Sequence, residues 1–228
     1  MVSLRHAGSA SSPVRPSRTR GSLGSLLLAL TVLARWAVAA PSPAEAPPEL
    51  RGHPALGQDS APVLVVEISS FKCSHCRTFH REVFPHLRER YIKPGVVRWV
   101  VVNASDDPAD QHTRIFAVAA CVQRQGRFWE SLDGLLDVAS RAPRHLDSWL
   151  AGDHGLDRTE LESCLRDRTT RAALAGDFAL YASLKLRGTP TFLLWKRRPD
   201  GGFTRATIEG GQKLEHFQRV LDGLIAAP

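Results

Sequence analysis

Two cysteines separated by two residues, Cys73 and Cys76, are the side chains of this sequence best suited to covalent chemistry. They flank Ser74 and His75, and the apolar residues 63–68 precede them. Two intervening residues let both sulfur atoms meet across one helical turn. If Cys73 begins a helix, the unpaired N–H groups and the helix dipole favour its thiolate, the form that attacks disulfides. The motif therefore predicts thiol–disulfide exchange, with Cys73 as the nucleophile and Cys76 as the resolving cysteine.

Positive charge beside the first cysteine would strengthen this effect. Lys72 precedes Cys73, and His75 follows it by two positions. A stabilised thiolate makes the disulfide a stronger oxidant. The alternatives are a structural disulfide or half of a zinc site, but a zinc site needs a second CxxC or a spaced histidine pair, which the sequence lacks. Cys73, His75, Cys76 and His80 could still bind a soft metal, although we predict neither a metal nor another cofactor.

The elements around this motif follow from hydrophobic periodicity. Residues 63–69 form a short apolar run typical of a buried strand, and a helical pattern extends from about 73 to 89. Pro85 lies inside that pattern and should kink the helix, because proline lacks the N–H that a helix interior uses. A second apolar run, at residues 96–102, predicts the next strand.

The rest of the chain divides into a helical part and a second strand-rich part. Residues 104–186 carry three amphipathic faces at helical spacing. Strand patterns return at 191–195 and near 204–208, and a closing helix is predicted from about 214 to 225. The order is therefore β-α-β, a helical block and β-β-α, which predicts an α/β protein.

The first 40 residues have the features of a secretory signal peptide. A basic start leads to an apolar stretch at 23–33, and small residues then suit cleavage near Ala39 or Ala40. The apolar stretch is shorter than the roughly 20 residues that span a bilayer. A transit peptide is the alternative, because residues 1–22 are rich in Ser and Arg and contain no acid. Export would place the cysteines where disulfides persist.

The charge of the chain gives no support for nucleic-acid binding. The formal net charge of +7 includes five arginines in the first 40 residues, which contain no lysine and no acid. The remaining residues comprise 25 basic and 23 acidic side chains. The basic character therefore belongs largely to the leader, and we predict no nucleic-acid partner.

Four motifs together resemble the DsbA-like branch of the thioredoxin superfamily, whose members are exported thiol:disulfide oxidoreductases. The motifs are PALG at 54–57, FKCSHCRTFH at 71–80, Cys121 with QGRFW at 125–129, and GTPTF at 188–192. The resemblance implies a thioredoxin fold formed by residues 52–103 and 187–228, with a helical insertion domain at 104–186 between its halves. Residues 41–51, rich in Pro and Ala, would be a linker behind the signal peptide.

The resemblance also implies roles for residues around the cysteines. The family places a buried acid six residues before the first cysteine, where it relays protons to the inner cysteine, and Glu67 occupies that position. The alternative is a glutamate at a strand end that faces water. The histidine of the motif, His75, would stabilise the thiolate, although Ser74 replaces the proline that is usual in the family.

The family resemblance further identifies residues 188–190 as a cis-proline loop beside the sulfur atoms. The backbone of Thr189, next to Pro190, could pair with an extended substrate segment as an added strand would. Ser74 is expected on the same substrate-binding surface. The alternative is an ordinary trans proline at the start of a strand, where its missing donor is tolerated.

A second cysteine pair, Cys121 and Cys164, lies in the helical block. In this branch of the family the corresponding positions often carry a cysteine pair, so the resemblance implies a structural disulfide. The alternative is two buried free thiols, because cysteine is commonly buried.

The resulting prediction is an exported, monomeric oxidase that donates the Cys73–Cys76 disulfide to newly exported proteins. Its second partner would be a membrane-bound enzyme that reoxidises or reduces the pair. A reductase or isomerase uses the same residues at a different reduction potential. A non-catalytic module that binds metal through the cysteines is the third alternative.

Overall fold

A computed structural model of the chain describes residues 46–105, 113–141 and 144–227. The predicted signal peptide, residues 1–40, lies outside the described residues. The helices and strands in chain order are β1 (Ala55–Leu56), β2 (Val63–Ser69), α1 (Ser74–Glu82), α2 (Phe84–Leu87) followed by a π-helical turn (Arg88–Ile92), β3 (Val97–Asn103), α3 (Thr113–Arg124), α4 (Phe128–Ala139), α5 (Arg144–Ala151), α6 (Arg158–Arg166), α7 (Arg168–Leu184), β4 (Thr191–Arg197), β5 (Phe203–Glu209) and α8 (Leu214–Ala226).

The strands form one mixed sheet in the order β1-β3-β2-β4-β5. The central strand β2 runs parallel to β3 and antiparallel to β4, and β5 extends the sheet antiparallel to β4. The helical block α3–α7 lies between β3 and β4 along the chain. The predicted order of β-α-β, helical block and β-β-α is therefore confirmed, and with it the α/β class.

Strands β2 and β3 are buried on both faces, which explains their nearly continuous apolar sequences. In β2 and in β3, six of the seven residues are buried. Glu67 is the one charged residue of β2, and its neighbours across the sheet are Val101 and Phe192. A charged group in such a place requires polar partners, and these partners belong to the candidate active site.

The predicted helix from about 73 to 89 is interrupted. α1 ends at Glu82, α2 begins at Phe84, and a π-helical turn completes the segment. Pro85 lies in the first turn of α2, where the missing N–H has no helical partner to lose. The expected kink is thus a break between two helices at Val83.

The edge strand β1 is absent from the sequence-based prediction. It is only two residues long, and its backbone pairs antiparallel with β3 through Ala55 and Leu56. Two residues are too few to produce an alternating pattern. The PALG motif therefore includes a strand that only the pairing with β3 reveals.

The helical block is cross-linked by the second cysteine pair. Cys121 of α3 and Cys164 of α6 form a disulfide, with their Cα atoms 5.7 Å apart. This linkage agrees with the prediction, and the alternative of two free buried thiols is wrong. The longest helix in the described ranges is α7, with 17 residues, and none of the helices described there is long and apolar enough to cross a bilayer.

A buried polar contact ties the N-terminal segment to the helical block and the sheet. Asp177 of α7 accepts hydrogen bonds from the backbone N–H and the side-chain amide of Asn103, at 3.2 and 3.0 Å. His53 Nε2 lies 2.7 Å from the other oxygen of the same carboxylate. Three segments that are distant in the sequence therefore share one carboxylate.

Candidate active site

Cys73 occupies the position that the motif predicts, at the start of α1. It is the N-cap residue, and its Sγ accepts a hydrogen bond from the backbone N–H of Cys76 at 3.4 Å. Cys73 is partly exposed, whereas Cys76 is completely buried. The outer sulfur is thus accessible to another protein, and the inner one is accessible only to Cys73.

The thiol of Cys73 is acidic. Its pKa is lowered to about 5, chiefly by a hydrogen bond from the Cys76 side chain. Burial opposes the shift, but hydrogen bonds from the Thr189 side chain and from the backbone N–H groups of Cys76 and His75 outweigh it. Because each of these donors favours the charged form, Cys73 is a thiolate at neutral pH.

His75 acts on Cys73 through its backbone in this structure. Its backbone N–H belongs to the groups that lower the pKa of Cys73, while its side chain is exposed to solvent. Ser74 and Lys72 are exposed on the same surface. The roles predicted for the imidazole of His75 and for Ser74 in substrate binding stay predictions.

The thiol of Cys76 shows the opposite behaviour. Its pKa is raised, first because it donates a hydrogen bond to Cys73 and then because it is buried. The negative charge of Glu67 adds to the same shift. Cys76 therefore holds its proton until Cys73 has reacted, which is the order that a resolving cysteine requires.

The loop before β4 completes the site on the other side of Cys73. The Thr189–Pro190 peptide bond is cis, as the family resemblance implies, and the alternative of a trans proline is wrong. The backbone oxygen of Thr189 lies 3.1 Å from Cys73 Sγ, so that it accepts the hydrogen bond of the thiol form. Cys73 and Thr189 also line a cavity of about 220 Å³, to which α7 contributes Tyr181.

The loop after β5 is a part of this site that the sequence reasoning missed. The N–H of Gly210 donates a hydrogen bond to the backbone oxygen of Pro190 at 2.8 Å. A Cβ atom on Gly211 would lie 3.3 Å from the backbone oxygen of His75, which leaves little room for a side chain. The pair of glycines at 210–211 was the available signal, because such pairs mark close backbone approach.

Glu67 lies on β2, the strand that precedes the cysteines in the sequence, and its side chain is completely buried. One carboxylate oxygen is 2.8 Å from His80 Nε2, and the other accepts a hydrogen bond from the Trp99 indole at 2.9 Å. Burial alone would raise the pKa of this carboxyl, but His80, Trp99 and Ser69 together lower it. The alternative of a glutamate facing water is wrong. The assigned relay to the inner cysteine stays a prediction.

The sequence reasoning considered His80 as a possible ligand of a soft metal but gave it no role with Glu67. His80 follows Cys76 by four positions, so the two side chains share a face of the helix. That spacing was the signal, but only the packing of α1 against the sheet brings His80 to Glu67. Trp99 of β3 carried no comparable signal.

A larger cavity of about 660 Å³ lies between the N-terminal segment, α3 and α7. His53 and Asp177 line it, but it contains no cysteine, so its size does not make it the site of the exchange chemistry. Within residues 46–105, 113–141 and 144–227, no group of three or more His, Cys, Asp or Glu side chains is arranged to hold a metal ion.

Comparisons with known proteins agree with this geometry. Residues 49–221 match a protein-family model described as thioredoxin. Disulfide bond formation protein D of Bacillus subtilis is 28% identical over 156 residues, which cover 63% of this chain and 68% of that protein.

Two solved structures have the same fold. The crystal structure of alpha-DsbA1 from Wolbachia pipientis superposes with a TM-score of 0.66 at 23% identity, covering 78% of this chain and 92% of that one. Oxidised BdbD from Bacillus subtilis superposes with a TM-score of 0.65 at 20% identity, covering 80% and 98% of the two chains.

Proposed function

We propose that this chain, which belongs to the thioredoxin superfamily and within it to the DsbA-like disulfide oxidoreductases, works as an oxidase. In this direction the Cys73–Cys76 disulfide passes to a pair of thiols on a protein substrate. The observation that carries the proposal is the position of Cys73 Sγ at the start of α1, where it accepts the Cys76 backbone N–H at 3.4 Å and where the pKa of the thiol is lowered to about 5. A thiolate stabilised in the reduced protein raises the reduction potential, because reduction then produces the favoured species.

The oxidation proceeds in two exchanges. A substrate thiolate attacks Cys73 Sγ, the bond to Cys76 breaks, and Cys76 leaves as a thiolate that takes up a proton. A second substrate thiolate then attacks the substrate sulfur of the mixed disulfide. The substrate disulfide forms, and Cys73 leaves as the stabilised thiolate, so that two electrons have passed from the substrate to the enzyme. The low pKa of Cys73 makes it a good leaving group in this last step.

The substrates that we propose are exported proteins with reduced cysteines. The support comes from the leader-like composition of the first 40 residues and from the Cys121–Cys164 disulfide, which suits an oxidising compartment. A membrane-bound partner would reoxidise the reduced pair, as the family resemblance implies. The backbone of Thr189 beside Cys73 suits an extended substrate segment.

The reduction potential tests the direction. The protein is equilibrated in glutathione buffers of graded ratio, and the Cys73–Cys76 pair is quantified by gel-shift alkylation. We expect a potential above the ~−180 mV of a protein disulfide isomerase. A potential near the ~−270 mV of thioredoxin would favour a reductase and contradict the oxidase.

Export is tested separately. The full chain is expressed in a bacterial host, the extracytoplasmic fraction is collected, and the N-terminus of the protein is determined by mass spectrometry. Cleavage near Ala39 or Ala40 is the expected result. An uncleaved protein that stays in the cytoplasmic fraction would contradict export while leaving the exchange chemistry intact.

A further inference from the structure

The contact between Glu67 and His80 is the least expected polar interaction in the described core. The two side chains are 0% and 2% exposed, and Nε2 of His80 lies 2.8 Å from Oε1 of Glu67. The rings of Phe79 and Phe84 lie beside the imidazole, with centroid distances of 5.3 and 5.0 Å. An acid and an imidazole enclosed by aromatic rings lose much hydration, and the contact between them offsets part of that cost.

The hydrogen-bond pattern assigns His80 as the donor. Its Nδ1 is buried and has no hydrogen-bond partner. A hydrogen on Nδ1 would therefore lack an acceptor, so the hydrogen is assigned to Nε2, which donates to Glu67. The indole of Trp99 can only donate, and it holds the second carboxylate oxygen. Two fixed donors, one for each oxygen, favour the ionised form of Glu67.

The exchange reaction must move the buried proton of Cys76. When Cys73 has formed a mixed disulfide with a partner, Cys76 must lose its proton before its sulfur can attack Cys73 Sγ. The attack forms the Cys73–Cys76 bond and releases the partner as a thiolate. Since Cys76 is completely buried, a group inside the protein has to accept the proton.

We propose that His80 is a positioning residue that, together with Trp99, keeps Glu67 ionised and oriented as the proton acceptor for Cys76. The proposal rests on the disulfide exchange described above, but it holds for either direction of net electron flow. In the substrate-oxidising direction the same proton returns from Glu67 to the Cys76 thiolate.

The electrostatics of the cluster agree with this arrangement. Ser69 is a side-chain hydrogen-bonding partner of both the Glu67 carboxylate and the Cys76 thiol, so the two groups share a hydroxyl neighbour. His80 and Cys76, both on α1, are the titratable partners that this contact involves. The flanking strands β3 and β4 present Trp99 and Phe192 to the cluster, and neither can titrate in its place.

The test follows the two exchange steps separately. The reduced protein is mixed with one equivalent of 5,5′-dithiobis(2-nitrobenzoate), and the release of the yellow thiolate is followed by stopped flow. The first equivalent reports attack by Cys73 on the reagent. The second reports attack by Cys76 on the mixed disulfide, with release of the second aromatic thiolate.

His80→Leu should leave the first phase nearly unchanged and slow the second phase by roughly 100-fold near neutral pH, the lower range for a positioned proton acceptor. The rate of the second phase should then rise with pH, because solvent hydroxide replaces the lost acceptor. His80→Gln can donate an amide hydrogen to Glu67 and should restore most of the rate. The exposed His86, changed to Leu, is the matched control and should leave both phases unchanged.

A double-mutant cycle with Glu67→Gln completes the test. Residues that act through one another give non-additive losses, so the double variant should be no slower in the second phase than Glu67→Gln alone. Equal slowing of both phases, an additive double variant, or a His80→Gln protein as slow as His80→Leu would overturn the proposal. If His80→Leu does not fold, Trp99→Phe removes the other donor and should slow the second phase selectively.

The outcomes separate this proposal from the proposed function. A protein whose first phase is absent would contradict the exchange function itself. A potential typical of a reductase would contradict only the direction and leave the two phases as described. An unchanged second phase in His80→Leu would contradict only the role of His80.

Discussion

Cys73 and Cys76 are chemically the same residue, but the pKa values of their thiols move in opposite directions. The Cys76 thiol donates a hydrogen bond to Cys73, and the Thr189 side chain and backbone N–H groups at the start of α1 add to the stabilisation of the Cys73 thiolate. Cys76 is one turn further into the helix, where that donated hydrogen bond, burial and the charge of Glu67 favour the neutral thiol. The opposite acidities of the two thiols therefore follow from their surroundings, and they suit the roles of nucleophile and resolving cysteine that we predict.

A pH profile of alkylation tests this difference. In the reduced protein, iodoacetamide should modify Cys73 with a rate that is half-maximal near pH 5, because its pKa is lowered to about 5. Peptide mapping should find the label on Cys73 alone. Cys73→Ser should abolish exchange, and Cys76→Ser should accumulate mixed disulfides with substrates. A half-maximum near the ordinary value of about 8.5 would contradict the assignment.

At the scale of elements, the Cys121–Cys164 disulfide joins α3 to α6 across 43 positions of sequence. Replacement of both cysteines by Ala should destabilise the helical block by up to about 4 kcal/mol, because the unfolded chain regains the freedom of the open loop. Urea denaturation of the two proteins measures the difference.

The thiol-exchange rate of the same double variant is the control. The disulfide lies in a cluster of its own with Leu161, apart from the Cys73–Cys76 pair. The rate should therefore stay close to that of the parent protein. A large loss of rate with an unchanged circular dichroism spectrum would indicate an electron relay between the two pairs.

The His53–Asp177 contact makes the docking of the N-terminal segment depend on pH. Burial lowers the pKa of His53, but the hydrogen bond and charge of Asp177 outweigh it, so the pKa is raised. A raised pKa in the folded state contributes stability that is fully present below the unfolded value of about 6.5. This contribution is lost as the pH rises through the folded pKa.

His53→Gln tests this contact, because an amide can still donate to Asp177 but does not titrate. The stability advantage of the parent protein over the variant should be largest at mildly acidic pH and should shrink as the pH rises. Urea denaturation at a series of pH values gives the difference. The exposed residue His86, changed to Gln, should show no such trend. A pH-independent difference would contradict the ionic role of His53.

At the scale of the whole molecule, the acidic thiol links the redox state to stability. The pKa of Cys73 in the folded reduced protein, about 5, lies below the unfolded value of about 8.5. The corresponding stabilisation is therefore fully present above the unfolded pKa and is lost as the pH falls through about 5. The oxidised protein has no Cys73 thiol and lacks this contribution.

The melting temperatures of the two redox states check this linkage. The melting temperature of the reduced protein minus that of the oxidised protein should fall steadily as the pH is lowered from about 8 to 5. Cys73→Ser can form neither the thiolate nor the disulfide, so its melting temperature should lack the fall that the reduced parent protein shows between about pH 8 and 5. A difference that grows as the pH falls would contradict the linkage.

Most of the architecture could be predicted because it depends on local patterns. The apolar runs at 63–69 and 96–102 correspond to β2 and β3, with bounds shifted by one residue in β3. β1 was missed because two residues carry no period, and the helix after Cys73 was predicted as one piece because periodicity continues across Val83. Local patterns detect hydrophobic faces, but they do not reveal short pairings or breaks.

The sequence by itself determined that Cys73 and Cys76 stand two residues apart at a helix start, because two-residue spacing and helix capping are local properties. Only the tertiary structure decided what surrounds the two sulfur atoms. Thr189 is 116 positions from Cys73, and Trp99 is 32 positions from Glu67. Such contacts arise when α1, β3 and the loop before β4 pack on β2, and no local pattern specifies which polar groups then meet.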